Sequence, residues 1–132
     1  MKKKLQFVLM IGLSALLIPT SALAATTSTL WENDILDKNK GTYTPIVYSN
    51  GKSIEICVSK NPKGNTVKLT PYEVSGSKKT PIGSTMSFST SSACYSKSLS
   101  GLKDGKNKKA EIQAKIVSSK SKTVHVKIKH TY

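Results

Sequence analysis

The side chains able to do chemistry in this chain are seven carboxylates, two histidines, two cysteines, abundant serines and a large excess of lysine. Glycoside hydrolysis needs two carboxyl groups facing across a cleft at a set separation. Glu55 and Glu73 are the candidates, because Glu32, Asp34, Asp37, Asp104 and Glu111 lie outside the middle strand-like segments. One carboxylate per strand is equally what neighbouring lysines would need as a partner. Glu32, Asp34 and Asp37, with Asn33 and Asn39 nearby, suggest a weak calcium site. Their spacing does not fit an EF-hand loop, and an acidic segment pairing with the basic body is the simpler role.

Nucleophilic serine chemistry has no support. The Ser-x-x-Lys pattern occurs at Ser49, Ser75, Ser100 and Ser119, ending on Lys52, Lys78, Lys103 and Lys122. Such repetition is expected by chance in a Ser- and Lys-rich chain, and no GxSxG elbow or supporting β-lactamase motif accompanies it. Phosphate-cradling glycine loops and dinucleotide fingerprints are also missing. His125 and His130 have an odd separation on one strand, which sends them to opposite faces and prevents a shared metal clamp. His125 is expected beside Lys115, whose charge would disfavour its protonated form, and His130 near a fraying chain end. No catalytic group, metal or cofactor is expected.

Two features remain. Cys57 and Cys94 are the only cysteines, and an even pair in an exported chain reads as one disulfide. It would close a 38-residue loop, worth about 4 kcal/mol in the chain-entropy model. Lysine supplies every basic charge, with no arginine present. The absence of guanidinium forks argues against sequence-specific nucleic-acid reading and leaves diffuse attraction to polyanions. The candidate polyanion-binding residues are Lys103, Lys106, Lys108 and Lys109 in one turn, Lys120 and Lys122 in a loop, and Lys115, Lys127 and Lys129 on a strand face. A solvated surface that aids solubility and blocks edge pairing is the bland alternative.

The compartment is read from the first residues. Lys2, Lys3 and Lys4 precede an apolar run from Leu5 to Ile18, then Pro19 and Ser21-Ala22-Leu23-Ala24. This is a secretory signal peptide with a cleavage site after Ala24, leaving residues 25–132 as one disulfide-linked domain of 108 residues. No later stretch is apolar enough to span a bilayer. Removing the leader lowers the apolar fraction from 37% to about 31% and the net charge from +14 to about +11, so the core is lean. The short leader and the lysine bias look bacterial.

The elements that must position these residues alternate with period two and are punctuated by Gly, Pro, Asn and Ser, with no helical period. Asn50-Gly51 predicts a two-residue hairpin that places Tyr43, Pro45, Val47, Ile54, Ile56 and Val58 on one apolar face and Ile46, Tyr48, Glu55 and Cys57 on the other. A second hairpin around Ser118–Lys122 pairs Ile116 with Val124, Ala114 with Val126 and Ile112 with Ile128. Its outer face carries Glu111, Gln113, Lys115, His125, Lys127 and Lys129. Further strands are expected near Thr66–Val74, Thr85–Ser89 and Cys94–Leu99. The segment Thr29–Asp37 reads as a short helix or a strand. About seven strands in a chain of this length imply an antiparallel β-sandwich, with a small open barrel as the alternative.

The sequence therefore predicts a secreted or cell-wall-associated, non-enzymatic, monomeric β-domain. Its expected partner is an anionic polymer: teichoic acid, an anionic lipid surface or extracellular DNA. The alternative is a protein-directed effector, an inhibitor or toxin-like antagonist acting through the exposed segment Lys78–Met86.

Overall fold

A computed structural model describes residues 25–103 and 107–132. Residues 1–24, where the leader is expected, and Lys106 lie outside the described residues. Ten strands follow in order: β1 (Thr27–Leu36), β2 (Thr42–Tyr43), β3 (Val47–Ser49), β4 (Ser53–Ser59), β5 (Val67–Ser75), β6 (Lys78–Pro81), β7 (Met86–Phe88), β8 (Ala93–Ser98), β9 (Ala110–Ser118) and β10 (Thr123–Thr131). No helix occurs among the described residues, and Thr29–Asp37 belongs mainly to strand β1.

Two antiparallel sheets pack face to face as a small β-sandwich. One has the order β1-β10-β4-β8; the other has β2-β9-β5-β6, with β3 also on β9 and β7 also on β5. The core is aliphatic: Ile54, Ile56, Val58, Val124, Val126 and Ile128 from the first sheet meet Val67, Leu69, Ile112, Ala114 and Ile116 from the second, all fully buried. β-Branched residues at every second position suit a pleated surface buried on one side. A register shift in β1 between Thr29 and Trp31 lets both Leu30 and Trp31 pack against this core.

Both expected hairpins are instead crossovers between the sheets. β3 pairs with β9 while β4 pairs with β10 and β8, so Asn50-Gly51 carries the chain from one layer to the other. Neither residue has a positive φ, which a type I′ turn requires at both positions. Gly51 is needed for space: a Cβ there would stand 2.7 Å from the Thr131 carbonyl oxygen. Val47, Ile54, Ile56 and Val58 are buried as expected, whereas Tyr43 and Pro45 are exposed. The true two-residue hairpin is β5 to β6, where Ser75 opposes Lys78 and Gly76 has φ 60°. Glycine at the first turn position with positive φ is the type II′ arrangement.

In the same way β9 bonds to β5 and β10 bonds to β1 and β4. The predicted inward residues are all inward. They meet across the sandwich instead of along a ladder, because alternation sets which face is apolar and leaves the bonding partner open. The outward residues of β9 and β10 therefore lie on opposite sides of the molecule.

Candidate functional site

The outer face of the β1-β10-β4-β8 sheet is electrostatically closed. His125 on β10 stands opposite Asp34 on β1, and its ring nitrogens lie 2.7 Å from Asp34 Oδ1 and 2.7 Å from Glu32 Oε1. A neutral imidazole has one N–H, so two carboxylate acceptors favour the imidazolium. Hydrogen bonding first to Asp34 and then to Glu32 holds the His125 pKa above its ordinary value, and the same bonds lower both carboxyls. This reverses the expectation for His125, since Lys115 is on the other sheet. Lys127 Nζ lies 3.1 Å from Glu32 Oε2, and Lys129 pairs with Glu55. Two of the predicted polyanion-binding lysines thus already have anions.

Cys57 and Cys94 are directly opposed on β4 and β8 and form a disulfide on this outer face, tying the edge strand β8 to the sheet. The register of β4 is regular through Cys57, which keeps the face that alternation predicts. Glu55 stands beside the sulfurs, but they are bonded to each other and are not metal ligands. Glu55 and Glu73 belong to different sheets, so they do not form the facing pair that glycoside hydrolysis needs.

His130 is buried, with Nδ1 2.9 Å from Ser49 Oγ, and burial lowers its pKa. It is not the surface residue expected from its place near the chain end, because Tyr132 N–H bonds to the Thr26 carbonyl and the Tyr132 ring covers the imidazole. The Ser49–His130 pair joins residues far apart in sequence and has the contact of a nucleophile with its base. Both side chains are nevertheless enclosed, and Gly51 N–H also donates to Ser49 Oγ.

The remaining lysines divide between two ends. Lys103, Lys108 and Lys109 lie where β9 begins, and Lys103 Nζ donates to the Asn50 carbonyl. Lys120 and Lys122 follow the end of β9, roughly 27 Å away along a nine-residue strand. The predicted set is therefore not one patch. Lys120 and Lys122 instead join exposed lysines that the sequence reading did not single out: Lys38 and Lys40 between β1 and β2, and Lys60 and Lys63 between β4 and β5.

These three loops are tied together by buried polar groups. Asp37, 1% exposed, accepts from the N–H groups of Asn39, Gly41 and Ser118 and from Thr42 Oγ1. Burial alone would raise its pKa, but these hydrogen bonds outweigh that effect and lower it. Asn65, fully buried, accepts at Oδ1 from Ser118 Oγ, Ser119 Oγ and Lys120 N–H, and donates to Asn61 Oδ1. Asn61 Nδ2 returns a bond to the Asn65 carbonyl and another to Thr90. Asp37 therefore works as a structural acceptor, not as a calcium ligand. The signal that could have found this network was polar residues flanking strand ends, which in sequence resemble ordinary loop residues.

The loop end continues onto the outer face of the second sheet. Lys115 lies against Gly41, and Lys68 lines a cavity of about 130 Å³ with Asn39, Thr66, Val117 and Ser119. Farther along that face Lys79 Nζ lies 3.8 Å from the centroid of Tyr43, whose ring is 6.0 Å from that of Tyr72. Tyr43, expected in the core, is 40% exposed because the β2 pairing with β9 directs it outward beside Lys115.

A family model described as the YndA coiled coil domain matches residues 28–128, nearly all of the strand-bearing region. The chain belongs to this family. The described residues of this YndA coiled coil domain member are nevertheless strands without helix, whereas a coiled coil is an assembly of helices. Neither the curated proteins nor the solved structures contain a match.

Proposed function

We propose that this is an exported, non-enzymatic β-domain that holds an anionic cell-envelope polymer on the lysine surface formed by the loop end and the adjoining outer face of the second sheet. The observation that carries this reading is the unequal compensation of charge. Lys127, Lys129 and His125 have carboxylate partners on one face. Glu32, Asp34 and Glu55, the carboxylates of those pairs, are not partners of Lys68, Lys115, Lys120 or Lys122. The hydrogen-bonded loops hold lysines close together before any ligand arrives, so less ordering is needed on binding. Lysine is a point charge without a planar fork, which suits a flexible polymer more than a base edge. The leader supplies the route to such polymers.

The test is retention of residues 25–132, oxidised, on isolated cell walls, anionic liposomes and DNA as salt is raised. Changing Lys68, Lys115, Lys120 and Lys122 together to Gln should lower the eluting salt concentration, while changing Lys127 and Lys129 to Gln should leave it nearly unaltered. A third variant, with Lys103, Lys106, Lys108 and Lys109 changed to Gln, tests the lysines that precede β9 in the sequence. Equal loss from all three variants would mean that only net charge matters and would refute the assignment. Retention of any partner that persists at high salt would favour the protein-directed reading, for which the edge strand β6, exposed at all four residues, offers a backbone for strand addition.

A further inference from the structure

The outer face of β9 contains a polar atom that the protein leaves unanswered. Gln113 is only 8% exposed; its Nε2 donates to the Thr44 carbonyl at 2.6 Å, yet its buried Oε1 has no partner. Exchanging the amide atoms would set oxygen against the Thr44 carbonyl, so the orientation is chemically required. Buried acceptors are satisfied in almost all folded proteins, and an exception invites a ligand or a water.

Its surroundings indicate which ligand. Tyr43 opposes Lys115, but Val47 opposes Ile112, so Pro45 and Ile46 together stand against Gln113 in a bulge of the edge strand. Tyr72 is the cross-strand neighbour of Gln113 on the other side. Tyr43, Ile46 and Tyr48, three of the most exposed large apolar residues, occupy this edge. Lys79 and Lys115 approach the Tyr43 ring at 3.8 and 5.7 Å from its centroid. The position thus combines an acceptor that needs a hydroxyl or amine donor, aromatic rings suited to a carbon skeleton, and cations suited to phosphate.

We propose that this face reads one repeat of a polyol phosphate polymer: the exposed bulge at Pro45 and Ile46 shifts to admit a hydroxyl that donates to the buried Gln113 Oε1, while Lys79 and Lys115 meet the flanking phosphates. The inference rests on the polyanion reading above and narrows it. DNA offers phosphate at the required charge density but lacks a free hydroxyl on each sugar, so it engages the lysines without answering Gln113.

The experiment compares the salt needed to elute the oxidised protein from immobilised poly(glycerol phosphate), from the same polymer with its free hydroxyls acetylated, from inorganic polyphosphate and from single-stranded DNA. The free-hydroxyl polymer should bind about tenfold more tightly than the acetylated one, because a site built to pair with a hydroxyl discriminates against its loss. Gln113→Met and Tyr72→Leu should each remove that preference while leaving retention on polyphosphate unchanged. The acetylated arm uses the unaltered protein, so it decides the matter even if a variant fails to fold. Equal retention of all four polymers would overturn the hydroxyl inference, with a water answering Gln113, and leave the polyanion reading standing. Retention of none at low salt would overturn both.

Discussion

Replacing Asp37 with asparagine changes almost nothing in size and reverses half of the hydrogen-bonding chemistry. Oδ1 accepts from Gly41 N–H at 2.9 Å and Thr42 Oγ1 at 3.0 Å, and Oδ2 accepts from Asn39 N–H at 3.0 Å and Ser118 N–H at 2.8 Å. An asparagine keeps one oxygen and turns an NH2 toward the other pair of donors. Two bonds to a charged acceptor are lost, at about 1.5–3 kcal/mol each, giving about 3–6 kcal/mol before relaxation. Domains of this size have only about 5–15 kcal/mol in total. Denaturant unfolding followed by the fluorescence of Trp31 should show this loss at pH 7. The carboxyl pKa is lowered in the folded state from an ordinary 3.8. Its contribution is therefore present above pH 3.8 and disappears as pH falls through the folded value, and the variant should lack that part of the acid dependence. The variant also gains one unit of net positive charge, so charge counting predicts tighter polymer retention. Loosening of the loops that carry Lys38, Lys40 and Lys120 predicts weaker retention. An unfolding free energy within about 0.5 kcal/mol of the parent, the range of an ordinary surface substitution, would refute the account of Asp37 as the tie between these loops.

Reduction, or Cys57→Ser with Cys94→Ser, should lower stability by up to about 4 kcal/mol with the fold retained. A melting temperature unchanged by reductant would contradict that role. The two histidines should titrate in opposite directions from 6.5 by NMR, His125 above and His130 below. Stability linked to His125 is fully present below pH 6.5 and lost as pH rises through its raised folded value. That linked to His130 is present above pH 6.5 and lost as pH falls through its lowered one. Inverted midpoints would overturn the assignment of their environments. Gly51→Ala should destabilise by about 1–3 kcal/mol, because its Cβ meets backbone that cannot swing aside. A neutral result in denaturant unfolding would show that the crossover can shift.

Much of the fold was legible because alternation is a local property. Ile112, Ala114 and Ile116, like Val124, Val126 and Ile128, are apolar at every second position and fully buried, and the class of two packed antiparallel sheets follows from such segments. The odd spacing of His125 and His130 likewise placed them on opposite faces. Strand partners were not legible. A hairpin and a crossover between layers give adjacent strands the same apolar alternation, and Asn50-Gly51 resembles a hairpin turn even where its φ values are ordinary. The candidate site suffered most from this ambiguity. Lys115 and Lys127 would share a face in a hairpin but stand on opposite faces of the sandwich. Lys38, Lys63 and Lys120, which no spacing rule connects, come to one end through Asp37 and Asn65.

The sequence by itself determined the disulfide pair, the excess of lysine and the apolar side of β4, β9 and β10, and it carries the signals from which an export leader is expected, since each depends on residue type and near neighbours. Only the tertiary structure decided which lysines are neutralised, which lie together, and that Gln113 faces a bulge with its oxygen unpaired. Coulombic compensation and hydrogen-bond satisfaction depend on distances between residues far apart in the chain, and those distances exist only once the two sheets have packed.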